Sequence, residues 1–535
     1  MNADALTAER TGLTWLRAAV APVGAFGRRH DEVIPPYGPG DEDRALAEIA
    51  EVVALAERLD LDGVARVRAV LRAVPEPAPI VARARVGDPL GDVDFYELGR
   101  FADATAALAR AWDAAVSPSA APNDPNHVIT DRRPPAVDAL SAVLAPGREG
   151  AGFYLDDAFG PGLRAARAAL AAAEADAEAR REAIAARVRD ATGVDPVGEE
   201  FVVLRDVYAG PLPDGVLVVR ETPTYRTAAI RVVSPERDAA FTRLAEEEEA
   251  ARRALAERIA READAVGAAT RALGALDRTL ARVAFAQRWG ACVPSFSGER
   301  IAFADATFAP LADALAASGR RYTPLSLDLH GVAVLTGPNM GGKSAALATA
   351  GFLCACAALG VPPPAREAAL PLLDTIAWIG GGGEGAEDRA RLLSSYAAEV
   401  VRARETLASA SARALVLVDE FARTTGPREG RALLIAFAEA LREHRAFALV
   451  ATHFDDVAAL ASVPHLRIAG LRDRGIETVA PGDLDSALDA INAAMDYRVV
   501  DASDGSASSD ALALAALLGL DARVIARART LHDGG

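Results

Sequence analysis

Eight consecutive residues, Gly337-Pro338-Asn339-Met340-Gly341-Gly342-Lys343-Ser344, have the types and spacing of a loop that holds phosphate. The apolar run Val332-Ala333-Val334-Leu335 precedes them and the helix-forming run Ala345-Ala346-Leu347-Ala348 follows. Glycines let the backbone curl until successive N–H groups point inward at phosphate oxygens. The N-terminus of the following helix adds its positive dipole end to the same pocket. Lys343 supplies a mobile charge for the outer phosphates, and the Ser344 hydroxyl is spaced to ligate Mg²⁺. Lys343 is the only lysine in the chain; every other one of its 58 basic residues is arginine. A slim point charge on a flexible stem suits phosphate where a planar fork would not fit.

Two more strand-like runs end in chemistry. Leu415-Val416-Leu417-Val418 stops at Asp419-Glu420. After a phosphate loop, the first acid completes the Mg²⁺ shell begun by Ser344, and the second orients or deprotonates an attacking water. Ala448-Leu449-Val450-Ala451 stops at Thr452-His453-Phe454. There His453 either senses the terminal phosphate or is satisfied by local hydrogen bonds. Between them Leu393-Ser394-Ser395-Tyr396-Ala397-Ala398-Glu399 follows the glycine run 380–383. Its hydroxyls suit a phosphate contact or a simple helix cap, and the residues alone do not separate the two.

These residues need elements to position them. A chain of 535 residues exceeds one core and implies several domains. Its 51% apolar and 25% charged content is that of a soluble globular protein, and its sparse aromatics and abundant alanine predict many helices. A net charge of −17 argues against a protein that coats nucleic acid by bulk charge. Apolar periodicity predicts helices over 44–59, 64–73 and 96–115, with a Pro- and Asn-rich loop over 116–135. A long helix is expected over 163–190, closed by Thr192-Gly193, and a second long helical stretch from 235 to about 285. The period changes between them, giving strands near 201–204, 216–219 and 229–233. Glu246-Glu247-Glu248-Glu249 reads as a solvated helix face. Beyond residue 301, strands alternate with helices as in a mostly parallel sheet, and two short helices around Gly519 close the chain. Cys354 and Cys356 diverge on an apolar helix and read as core. No signal segment or membrane-spanning run is recognisable, so a cytoplasmic location is expected.

Taken in order, these motifs resemble the MutS family of ATPases, within the wider ABC-type superfamily. The resemblance is strong over 320–531, moderate over 150–300 and weak before that. The loop 336–344 matches the family's phosphate loop, Asp419-Glu420 its magnesium and base positions, and Thr452-His453 its sensing position. Residues 394–399 look like its Ser-Thr-Phe-Met-x-Glu signature, with Ala397 in place of Met. In the family that signature reaches across a dimer, which implies Ser394 acting in trans on the partner's nucleotide. Asp496-Tyr497-Arg498 and residues 517–531 look like the family's C-terminal dimerising segment.

The implied architecture is an α/β P-loop (ABC-type) ATPase head over 301–535, a helical core over 1–150, and lever helices over 151–300 with a β-rich clamp at about 198–235. ATP and Mg²⁺ are the implied cofactors, and a homodimer the implied assembly. Where the family usually continues Gly-x-Gly-Thr-Ser-Thr after the acids, this chain has Ala422-Arg423-Thr424-Thr425-Gly426-Pro427. Pro427, Glu429 and Gly430 look more like the second MutS subfamily, which acts in recombination control or ribosome rescue. Neither that subfamily's nuclease-like domain nor an N-terminal mismatch-reading domain with its Phe-x-Glu wedge is expected here. The resemblance implies ATP-dependent gripping of mismatched, branched or distorted DNA. Residues 199–237, however, hold five arginines against six acids, little for a phosphate-gripping clamp. The rival expectation is a remodelling chaperone for a protein client such as a cobalamin-dependent aminomutase.

Overall fold

The computed structural model describes residues 1–116, 132–150, 152–338, 342–380, 395–422, 425–471, 495–502, 512, 515–516 and 520–533. Two compact units emerge. One comprises Met1–Arg72, Arg110–Arg133 and Leu273–Gly535; the other comprises Ala73–Ala109 and Pro134–Ala272.

The first unit is built on a six-stranded sheet. Its spatial order is Thr375–Gly380, Ala414–Asp419, Phe447–Ala451, Val332–Thr336, His465–Leu471 and Met495–Asp501. The first five strands run parallel and the last is antiparallel. Val332–Thr336 and Phe447–Ala451 are buried at every position, which is why they read as unbroken apolar runs rather than alternating ones. Helix Lys343–Ala358 covers one face. It is apolar all round, and 14 of its residues are buried, including Phe352, Cys354 and Cys356. A second sheet shares its core, with the order Ser295–Phe296, Glu367–Leu370, Ile301–Ala306 and Leu325–Leu329. Helix Pro427–Glu443 covers the opposite face of the six-stranded sheet through Leu434, Phe437 and Leu441.

Residues 1–72 group with the C-terminal half because short helices there, which periodicity does not predict, enter its core. Leu13 and Leu16 of helix Leu13–Ala19 share one cluster with Leu347, Phe352 and Trp378. The C-terminal end of the buried helix is closed from this region and from helix Ala263–Trp289. Tyr37 N–H donates to the Ala358 carbonyl at 2.7 Å, and the Arg282 guanidinium donates to the Leu359 carbonyl at 3.2 Å. Those carbonyls have no partner within the helix. Asp31 and Glu48 balance the buried charges of Arg278 and Arg282.

The second unit carries the predicted insert. Helix Leu163–Thr192 ends at Gly193 in the left-handed region, φ 71°. Three antiparallel strands follow, Phe201–Leu204, Val216–Glu221 and Tyr225–Ile230, with the last in the middle. Phe201, Val203 and Ala228 pack on Ile184 and Val188 of the helix. The return stretch is two helices, Pro235–Arg261 and Ala263–Trp289, broken at Glu262 where periodicity predicts a single long run. Among the described residues, no helix is long and apolar enough to cross a membrane.

Gly351 shows how closely the N-terminal region seats. A Cβ there would lie 2.5 Å from the Thr11 methyl and 2.9 Å from Leu417. Gly351→Val should therefore destabilise the protein by about 2 kcal/mol, through overpacking. Chemical denaturation followed by circular dichroism reads this directly, and an unaltered midpoint would show that the seat yields.

Candidate functional site

Three sheet strands that are neighbours in space end at one edge. Asp419, Ala451 and Leu335 lie in a single row across the sheet, so the residues after them converge. This is the carboxyl edge of a parallel sheet, where ligands of such folds bind. Lys343 and Ser344 begin the buried helix directly after the loop. The Ser344 hydroxyl donates to Asp419 Oδ1 at 3.1 Å. Two hard oxygen donors at that separation suit Mg²⁺, so the residues fit the ion that the sequence implies.

Lys343 is buried, and its ammonium donates to the carbonyls of Gly337 at 2.9 Å and Pro338 at 3.2 Å. It thus bridges its own loop from inside. Burial lowers its pKa, while the carboxylates of Glu420 and Asp419 pull it back up. Asp419 is perturbed the other way. Burial raises its pKa first; the Ser344 hydrogen bond opposes that, Glu420 adds to it, and Arg10 and Lys343 draw it down. Gly342 is left-handed at φ 90°, where the chain turns into the helix, and Tyr497 lies against its backbone.

Glu420 and His453 form a second pair, with His453 Nε2 2.5 Å from Glu420 Oε1. Glu420 (φ 55°) and Ala422 (φ 62°) both occupy the left-handed region without being glycine. Backbone strain of this kind needs support from its surroundings. Here the Glu420 N–H donates to the Ala451 carbonyl at 3.1 Å. The Ala422 N–H donates to the Glu399 carboxylate at 3.2 Å. Glu399 is buried on helix Ser395–Ser409, which ties the predicted signature segment to the turn after the acids.

The structure therefore brings Lys343, Ser344, Asp419, Glu420 and His453 to one edge, with Gly337, Pro338 and Gly342 around them. Asn339, Met340, Gly341 and Ser394 lie outside the described residues. Three contributors escape a reading of the sequence. Arg10 is remote from any motif, Gly380 reads only as the start of a glycine run, and Tyr497 reads only as part of a C-terminal segment.

A family model described as MutS domain V matches residues 333–534. A DNA mismatch repair protein MutS of Thermus thermophilus is 36% identical over 225 residues, covering 42% of this chain and 27% of its own. An Endonuclease MutS2 of Anaeromyxobacter sp. is 34% identical over 247 residues, covering 45% and 28%. An Endonuclease MutS2 of Thermus thermophilus is 33% identical over 296 residues, covering 55% and 36%. The matched stretch spans about a quarter to a third of those relatives.

Gly380 ends the strand beside Asp419 at φ 97°, and a Cβ there would lie 1.9 Å from the Asp419 carbonyl oxygen. Gly380→Ala should cost roughly 3 kcal/mol, from the left-handed conformation and the backbone clash together. Urea unfolding checks this, and parental stability would mean that the two strand ends are not held so close.

Proposed function

Because the chain belongs to the MutS family, we propose that it is an ATPase of the MutS type that converts ATP and water to ADP and phosphate. It works as a homodimer and uses the cycle to switch its grip on mismatched, branched or distorted DNA. The observation that carries the ATPase reading is the convergence of Lys343, Ser344, Asp419, Glu420 and His453 on one sheet edge. The three-part division into core, lever with clamp, and ATPase head is part of the same proposal. So is a cytoplasmic location.

In this reading, N–H groups of the loop Gly337, Pro338, Asn339, Met340, Gly341 and Gly342 surround the phosphates, except at Pro338, which has none. Lys343 neutralises their charge from within the loop. Ser344 and Asp419 hold Mg²⁺, which when bound offsets charge on the phosphates. Glu420 accepts the proton of the attacking water, and His453 keeps the Glu420 carboxylate in place from 2.5 Å. Ser394 of the partner subunit closes the site.

The relatives' names favour DNA as the load: one is a DNA mismatch repair protein, the others endonucleases. A specific observation favours the second reading, a protein client. Of the five arginines in 199–237, Arg205 pairs with Glu221 and Arg237 with Asp238. Arg226 is buried and donates to the carbonyls of Tyr208 and Gly210. The open face of the same small sheet carries Val202, Leu204 and Leu217, each close to half exposed. With three of the five arginines engaged within the protein and Arg220 and Arg231 exposed, this apolar face suits a protein better than phosphates.

Glu420→Gln should bind ATP with parental affinity and turn it over at least ~100-fold more slowly. Steady-state phosphate release alongside nucleotide titration separates the two effects, and parental turnover would remove Glu420 from its role. Binding to homoduplex, mismatched and four-way-junction DNA should fall steeply with salt if DNA is the load. Absence of binding to all three at low salt would exclude DNA.

A further inference from the structure

Helix Ala5–Arg10 is fixed to the edge strand Thr375–Gly380 at two heights. Asn2 pairs with Thr375 at the start of the strand. Further along, Thr7 Oγ1 accepts the Trp378 N–H at 2.9 Å. The helix therefore climbs in the strand's own direction, toward the carboxyl edge. From Thr7 to Arg10 it rises about 4.5 Å. From Trp378 to Gly380 the strand rises about 6.6 Å. The difference is shorter than an extended arginine side chain. Gly380 is the register partner of Asp419, so Arg10 is delivered to the row that holds that carboxylate.

Several contacts keep it there. Asp4 caps the helix by accepting the Thr7 N–H at 2.7 Å, and Arg402 pairs with Asp4 at 3.3 Å. Thr11, the next residue after Arg10, seats against Gly351, where a Cβ would lie 2.5 Å from its methyl. Arg10 is an exposed residue, and its charge, like that of Lys343, favours the ionised form of Asp419. The two cations approach from opposite flanks. In the sheet the edge strand lies beyond Ala414–Asp419 as seen from the loop strand Val332–Thr336.

We propose that Arg10 is a second cation of the phosphate site and contacts the terminal phosphate of a bound nucleoside triphosphate. The inference rests on the ATPase reading above. A triphosphate chain that starts in the loop and runs toward Asp419 has its last phosphate nearest Arg10. A guanidinium there presents a planar fork to phosphate oxygens, which an ammonium does not. Lys343 grips phosphate whichever nucleotide is bound; Arg10 distinguishes triphosphate from diphosphate.

The test is calorimetric titration of the full chain, with Mg²⁺, using a non-hydrolysable ATP analogue and, separately, ADP. Arg10→Ala should weaken the analogue about tenfold and ADP by less than about twofold. Lys343→Ala should weaken both. Arg10→Lys, which keeps the charge and the seat of the helix, should recover part of the discrimination. Equal weakening of both nucleotides by Arg10→Ala, or no change in either, would overturn the proposal; loss with Arg10→Lys as great as with Arg10→Ala would place the recognition in the guanidinium fork. A parent chain that binds neither nucleotide would instead overturn the ATPase reading, and Arg10's role with it.

Discussion

Burial of one helix on every side organises the first unit. Lys343–Ala358 is made almost wholly of small and apolar residues, and it lies against the six-stranded sheet, the smaller sheet and the N-terminal helices. Its C-terminal carbonyls are closed by Tyr37 and Arg282. Its N-terminus is the only end left for chemistry, and Lys343 and Ser344 stand there. A helix held this tightly cannot tilt or slide without disturbing several layers, because packed interiors resist small displacements. The Ser344–Asp419 contact is therefore a fixed distance between two rigid elements rather than a meeting of two loops.

The parts of the site legible in sequence are those whose neighbours in space are also neighbours in pattern. Asp419 and His453 each follow an unbroken apolar run, and that run is a buried parallel strand because both of its faces are covered. Periodicity likewise places helices Glu42–Arg58 and Leu61–Arg72 to within a few residues. The short helices Ala5–Arg10 and Leu13–Ala19 leave no such mark. Six or seven residues span under two turns, too few for a period to show, and only contacts far along the chain make them stable. Arg10 is invisible for the same reason: its charge can act on Asp419 only once helix Ala5–Arg10 is fixed along the edge strand. Gly380 reads as part of a flexible run, whereas its end of that run is a strand terminus with no room for a side chain.

The small sheet of the second unit reverses the balance. Two of its strands are plain in sequence and the third, Tyr225–Ile230, begins four residues before the expected 229–233; its chemistry is not plain, since a count of charges does not say where they point. Near-neutrality by composition becomes something sharper once Arg226 is seen facing carbonyls and Arg205 facing Glu221. The motor's residues are constrained by geometry that many sequences share. The surface that meets the load is constrained only by whatever it meets.

Ala422 stands where the family that the sequence resembles usually has glycine, and it holds a left-handed backbone, φ 62°. An L-residue in that conformation carries about 1–2 kcal/mol of strain that glycine would not. The Glu399 carboxylate, 3.2 Å from the Ala422 N–H, is what holds the turn in place. The turn therefore owes its shape to an anchor on helix Ser395–Ser409 rather than to a residue type that makes it easy. Glu399 is thus the latch on a sprung segment of main chain that leads straight out of the Asp419-Glu420 pair.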